Sequence, residues 1–232
     1  MNAPIDLTKP VPAATLTALT ALSRYFSTTI HGVENLPETG ALLVGNHALA
    51  GIDSLAFLPA LYHATGRVPR GLGLRALFQV PLLSQALQQC GAVAGDRENA
   101  VRLLESDELV VAYPGGSRDS LKSKADRSEL KWKGRHGFAH VARQAKRPVV
   151  PVAAIGPDDV FPILADNGLR VGWLNNERLP VFLPIARRVP FDFVIGTPIE
   201  PPDGDDVESF VDRVQTELRT LIVNGLATRP MR

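Results

Sequence analysis

Two short stretches concentrate the residue types that proton transfer and anion binding need. The first, Val44-Gly45-Asn46-His47-Ala48-Leu49-Ala50-Gly51-Ile52-Asp53, sets an imidazole and a carboxylate at the end of an apolar run. Such a pair suits a general base and its orienter. The imidazole takes a proton from a hydroxyl while the carboxylate holds the tautomer and offsets the imidazolium charge. On one continuous helix, side chains six positions apart diverge by about 120°, so Gly51 must turn the chain if the two are to meet. A loop histidine beside a helix-capping Asp53 accounts for the same residues, and by local chemistry both readings stand.

The second stretch, Ala112-Tyr113-Pro114-Gly115-Gly116-Ser117-Arg118-Asp119-Ser120, follows another apolar run. Successive glycine N–H groups there can line an anion-binding concavity, with Arg118 as a forked donor to phosphate. A tight turn with a solvent-facing arginine is the alternative. The glycines lack P-loop spacing and the serine lacks a G-x-S-x-G frame, so Ser117 is a poor nucleophile. Cys90 has no neighbour that would activate it and reads as a small hydrophobe. His31, His63, His136 and His140 show no metal-ligand spacing, and no metal or cofactor is expected.

The elements that must position these stretches follow from hydrophobic periodicity and breakers. Ala41–Val44, Ala92–Ala94, Leu109–Tyr113, Val149–Ile155 and Phe191–Ile195 read as strands. Helices are expected over residues 12–27, 55–63, 82–89, 97–105, 137–146 and from Val207 to Ile222, the last capped by Asp203 or Asp205. Gly66, Pro69, Gly71 and Gly73 mark a loop. Strands alternating with helices predict an α/β fold, a single domain with a mixed, largely parallel central sheet flanked by helices. Both chemical stretches then lie past the carboxyl ends of strands, where such sheets hold their ligands.

Composition narrows the partners. In 232 residues, 25 Lys and Arg stand against 24 Asp and Glu, and a net charge of +1 with few aromatics disfavours nucleic acid. One cysteine leaves no internal disulfide and fits a reducing compartment, with cytoplasm the default. The N-terminus lacks the pattern of a secretory signal, and the apolar stretch from Gly40 to Tyr62 is interrupted by Asn46, His47, Asp53 and Pro59, so no membrane-spanning helix is expected. Residues 1–29 form an N-terminal amphipathic segment that either packs on the core or touches a membrane. Between Arg118 and Arg135, seven Lys or Arg face Asp119, Asp126 and Glu129. This basic loop is either solvated charge or an approach to phosphates or an anionic bilayer.

Taken together, "VGNHALAGID", "CGAVAGDRENA", "VVAYPGGSRDSL", "LKWKGRHGFAHVARQAKRPVVPVAAIGPDDVF" and "FDFVIGTPIEPP" resemble the ordered blocks of the glycerolipid and lysophospholipid acyltransferase superfamily. The likeness covers roughly residues 30 to 205, with residues 30–232 taken as the acyltransferase domain, and it is greater to the monoacylglycerol and diacylglycerol acyltransferase-like branch. The resemblance implies the fold of the glycerol-3-phosphate acyltransferases. It implies transfer of a fatty acyl group from acyl-CoA or an acyl carrier protein to a glycerolipid, lysophospholipid or lipid alcohol. His47 would be the catalytic base and Asp53 its charge partner, with Asn46 in support. Arg97, Gly115, Gly116 and Arg118 would handle the acceptor's polar head, and Pro151 falls in the hydrophobic block.

Two departures matter. Five residues separate His47 from Asp53 where most members have four, and Gly115 stands where many relatives carry glutamate. The second favours a neutral alcohol over a phosphate-bearing acceptor, with Asp119 partly taking the glutamate's place. No cofactor beyond the acyl thioester is implied, and the enzyme would be cytoplasmic, peripheral on the inner face of the membrane. A thioesterase that uses the same histidine on water, or a non-catalytic lipid-binding relative, are the alternatives.

Overall fold

The computed structural model describes residues 10–124, 126–166, 168, 170–172, 177–204 and 206–229. Three wholly buried apolar runs make the centre of the sheet: β2 (Ala41–Gly45), β5 (Leu109–Ala112) and β6 (Val149–Ile155). Strands apolar on both faces must be covered on both, as parallel sheets with flanking helices are. The seven-stranded sheet has the order β1-β11-β6-β2-β5-β3-β4, with β1 at Thr29–His31, β3 at Arg70–Gly73, β4 at Ala92–Ala94 and β11 at Asp192–Ile195. β6, β2, β5, β3 and β4 run parallel, while β11 opposes β6 and carries β1 alongside itself.

Alternation along the strands splits the core. Leu42, Val44, Val110, Ala112, Val149 and Ala153 face α4 (Arg97–Glu105), α6 (Gly137–Ala145) and α7 (Val207–Thr228). Ala41, Leu43, Leu109, Val111, Val150 and Val152 face α2 (Ile52–Thr65), and outside it packs α1 (Ala13–Tyr25), whose Thr20 bonds His63 at 3.0 Å. Each fully buried Val or Leu contributes about 1.5–3 kcal/mol, so these two layers hold the strand ends in register. α1 is thus built onto the protein, and the division expected after residue 29 falls inside β1, which begins at Thr29. Residues 1–9 of the expected N-terminal segment lie outside the described residues.

Two expectations are corrected. The glycine-marked segment 66–73 is not all loop, because Arg70–Gly73 is the strand β3 between β5 and β4. Glycine weakens a strand, but pairing on both sides compensates, and at Gly73 a Cβ would sit 2.8 Å from the Phe78 ring. The cap of α7 is neither Asp203 nor a described residue 205. Asp206 accepts from Ser209 N at 3.1 Å, and Asp205 lies outside the described residues. Short antiparallel pairs, β7 (Ile163–Ala165) with β10 (Val181–Phe182) and β8 (Arg170–Val171) with β9 (Glu177–Arg178), follow β6 at the end of the sheet where the two chemical stretches lie.

Candidate functional site

The chain leaves β2 at Gly45 and turns sharply before α2. Asn46 is buried and makes both hydrogen bonds of its amide to one residue of β6, donating to Ala154 O at 2.9 Å and accepting from Ala154 N at 2.8 Å. It serves as a clamp that extends the β2–β6 pairing past the strand end. Its side chain supports the loop that carries His47. Beyond it Ala50 (φ 60°) and Gly51 (φ 68°) are both left-handed, and α2 starts at the next residue.

That turn closes the six-residue offset. His47 Nδ1 lies 3.0 Å from Asp53 Oδ2, and Asp53 Oδ1 accepts from Ala48 N at 3.2 Å. The carboxylate is fully buried while the imidazole side chain keeps 18% of its surface exposed. With Nδ1 turned to the carboxylate, Nε2 is the ring nitrogen left for a substrate. Asp53 is thus a partner of the histidine, not a cap of α2, for which no side-chain cap bond is made.

β5 pairs with β2 in parallel, Val44 opposite Ala112, so the glycine-rich stretch arrives beside His47. Tyr113 stacks on the imidazole with ring centres 4.0 Å apart and planes 15° off parallel. Its hydroxyl accepts from Ser54 Oγ at 2.9 Å. Burial, and next the charge of Asp53, raise the Tyr113 phenol well above its ordinary value, so it stays neutral. Neither Tyr113 nor Ser54 stands out in the sequence as a site residue. Their one signal was adjacency, Tyr113 ending a strand just before Pro-Gly-Gly and Ser54 following Asp53.

The loop itself is not an open anion cradle. Gly116 N is spent on Tyr113 O at 2.9 Å, and Gly116 has a positive φ of 55°. The short helix α5 (Ser117–Ser120) folds back so that the Asp119 carboxyl lies over Gly115, its Cγ 2.1 Å from where a Cβ of residue 115 would be. Asp119 is fully buried, with Oδ1 accepting from Lys131 N at 2.7 Å. Burial raises its carboxyl above the usual range, against the lowering pull of that bond, Lys122 and His47. Arg135 Nη1 donates to Gly115 O at 2.9 Å and pins the turn, a role no sequence signal marked. Arg118, on α5, is partly exposed.

Arg97 is not gathered into this cluster. It is exposed in the first turn of α4 behind edge strand β4, three strand positions from β2, roughly 14 Å at the usual spacing. Pro151 sits inside β6, opposite Val44. Three cations of the basic loop are held in ion pairs. Lys122 pairs with Asp158 at 3.4 Å, Arg127 with Asp159 at 2.7 Å, and Lys131 with Asp126. Among the described residues no helix is long and apolar enough to cross a membrane.

Comparison with known proteins gives concordant matches. Residues 27–155 match the Acyltransferase family. An uncharacterized protein of Mycobacterium tuberculosis is 35% identical over 146 residues, 61% of this chain and 41% of that protein. A human protein named as a DGAT1/2-independent enzyme synthesizing storage lipids is 30% identical over 196 residues, 83% of this chain and 60% of its own length. The chain thus aligns with only about two to three fifths of these relatives. The crystal structure of the 1-acyl-sn-glycerophosphate (LPA) acyltransferase PlsC from Thermotoga maritima superposes with a TM-score of 0.58 at 16% identity, covering 93% of this chain and 83% of that one, which shows a shared fold.

Proposed function

The chain belongs to the Acyltransferase family, in the glycerolipid and lysophospholipid acyltransferase superfamily, and on that premise we propose that it moves a fatty acyl group from a thioester, acyl-CoA or an acyl carrier protein, to a lipid hydroxyl. The observation that carries this reading is the pairing of His47 Nδ1 with the buried Asp53 carboxylate at 3.0 Å, which leaves Nε2 to act as base. A lipid hydroxyl is scarcely ionised at neutral pH, so a positioned base contributes roughly 10²–10⁴ in rate. Nε2 takes the hydroxyl proton as the oxygen attacks the thioester carbon. The C–S bond then breaks, and the departing thiolate takes the proton back from the imidazolium, leaving ester and free thiol. Asp53 offsets the ring charge between the two transfers.

No acyl-enzyme is invoked. Ser117 is buried at the start of α5, and burial pushes the Cys90 thiol up, away from the thiolate. The name of the human relative supports a lipid acceptor. Contact with a bilayer surface belongs to the same proposal, supported by the exposed Leu164, Val181, Leu183 and Ile185 on and beside the β7–β10 strand pair. The proposed chemistry uses the side chains and the two co-substrates alone.

The test is a labelled palmitoyl-CoA incubation with monoacylglycerol, diacylglycerol, lysophosphatidic acid and a long-chain alcohol, followed by lipid separation. The expected result is a new ester that depends on one of the acceptors and disappears in His47→Ala. Label released only as free fatty acid, whatever the acceptor, would assign hydrolysis and reject transfer.

A further inference from the structure

We infer that Tyr113 is a positioning residue for the proposed reaction: the face of its ring covers the His47 imidazole, keeps it in plane and offsets the charge it gains on taking a proton. This deepens the acyl-transfer reading and rests on it. Asp53 meets the imidazole only at its edge, at Nδ1. A single edge contact lets the ring tilt, and a tilt carries Nε2 away from a hydroxyl that must lie within hydrogen-bond reach. Tyr113 closes off that motion, its ring centre 4.0 Å from that of the imidazole and its plane 15° off parallel.

The covering ring is itself held from three elements. Its hydroxyl accepts from Ser54 Oγ at 2.9 Å, and Ser54 follows Asp53 in the first turn of α2. Consecutive side chains of one helix thus fix the edge of the imidazole and the far end of the ring on its face. Tyr113 leaves β5 one residue past Ala112, which lies opposite Val44 of β2. Gly45 gives the ring room, since a Cβ there would stand 3.4 Å from Tyr113 Cε1 and 2.9 Å from Val152 O.

An aromatic face attracts a cation within about 6 Å of its centre. Neutral imidazole stacks on it too, but only imidazolium draws this attraction, so the contact strengthens while His47 carries the hydroxyl's proton. An interaction stronger in the charged state than in the resting one speeds the step that forms the charge. The phenol stays neutral, so the ring acts through its face and not through an ionised oxygen. Among the described residues, the other titratable groups that act on His47 are Asp53 from α2 and Asp119 from α5, both unchanged in the variants below.

The experiment follows the His47 ring C–H signal by NMR against pH in the full chain without substrate, the signal being assigned by its loss in His47→Ala. Tyr113→Phe is made with its ring carrying no, two or three fluorines, which draw charge from the face and keep the shape, and Tyr113→Leu removes the face. Unfluorinated Tyr113→Phe is expected to titrate within about 0.2 pH unit of wild type, whereas trifluorination and Tyr113→Leu each lower the midpoint by about half a unit, with difluorination between. The acid limb of kcat/KM for transfer should move with the midpoint. Equal midpoints across the fluorinated series overturn the inference, as does an unfluorinated Tyr113→Phe shift as large as that of Tyr113→Leu, which assigns the effect to the hydroxyl. The fluorinated series decides if Tyr113→Leu does not fold. Palmitoyl-CoA turnover with the lipid acceptors is run in parallel; absence of any ester rejects acyl transfer, while the midpoints, read without substrate, still judge Tyr113.

Discussion

Replacing Asp53 by asparagine is the sharpest test of the proposed base. The carboxylate serves two donors, His47 Nδ1 at 3.0 Å on Oδ2 and Ala48 N at 3.2 Å on Oδ1. An amide has one acceptor oxygen for these two positions. If it stays on Ala48 N, the amide NH2 faces Nδ1 and forces the ring proton onto Nε2, where it blocks the base. If it turns to Nδ1, the NH2 opposes the Ala48 N–H in a site with no access to water. Even in the second case the imidazolium loses its counter-charge. Two unit charges about 4 Å apart at an effective dielectric of about 20 interact by about 4 kcal/mol. With the amide dipole retaining part of this, about 3 kcal/mol is lost, which is about 100-fold in kcat. The tautomer effect adds to it. The assay is steady-state transfer to the preferred acceptor, with kcat and KM separated and the fold checked by circular dichroism. A fall in kcat with KM nearly unchanged is expected, because the ring is charged only as the reaction proceeds. An Asp53→Asn protein that keeps more than a tenth of wild-type kcat refutes the pairing as catalytic.

Three further outcomes follow from the geometry. Tyr113→Phe keeps the ring stacked on His47 and should hold kcat within about threefold, whereas Tyr113→Leu gives up an aromatic contact of about 0.5–1.5 kcal/mol and the ring's alignment, and should lower kcat by about tenfold; equal losses in both would assign the effect to the hydroxyl. Gly51→Ala imposes a left-handed alanine, costing about 1–2 kcal/mol, and sets its Cβ 3.6 Å from His47 Cε1, so thermal melting should drop together with kcat while Gly51→Asn melts nearer wild type. Asp119, raised by burial, binds its proton more tightly folded than unfolded, so its contribution to stability is present at low pH and fades as pH rises from the ordinary carboxylate range through its raised value. Asp119→Asn should therefore melt higher than wild type at pH 7, with the gain shrinking toward pH 4; a gain independent of pH would contradict the buried-acid account.

The sequence by itself determined what depends on neighbours along the chain. The apolar runs of β2, β5 and β6 and the periodic faces of α4 and α7 come from local pattern, so the class of fold and the placing of both chemical stretches at strand ends were legible. The need for a turn at Gly51 was legible too, since helix geometry forbids the His47–Asp53 contact without one, and the structure has two left-handed residues there. What spans the sheet was not. β3 is a strand only because β5 and β4 pair with it, and its glycines carry no strand signal. Tyr113 reaches His47 because β5 lies in register beside β2, a pairing of residues 68 apart that no local pattern encodes. The same holds for the basic loop, whose charges look free along the chain until Asp158 and Asp159 arrive from beyond β6 to neutralise Lys122 and Arg127. Local propensity and spacing therefore singled out His47 and Asp53 as candidates. Strand order and side-chain packing, which act between distant parts of the chain, decided which of them meet, and placed a buried carboxyl where the sequence showed only Gly115.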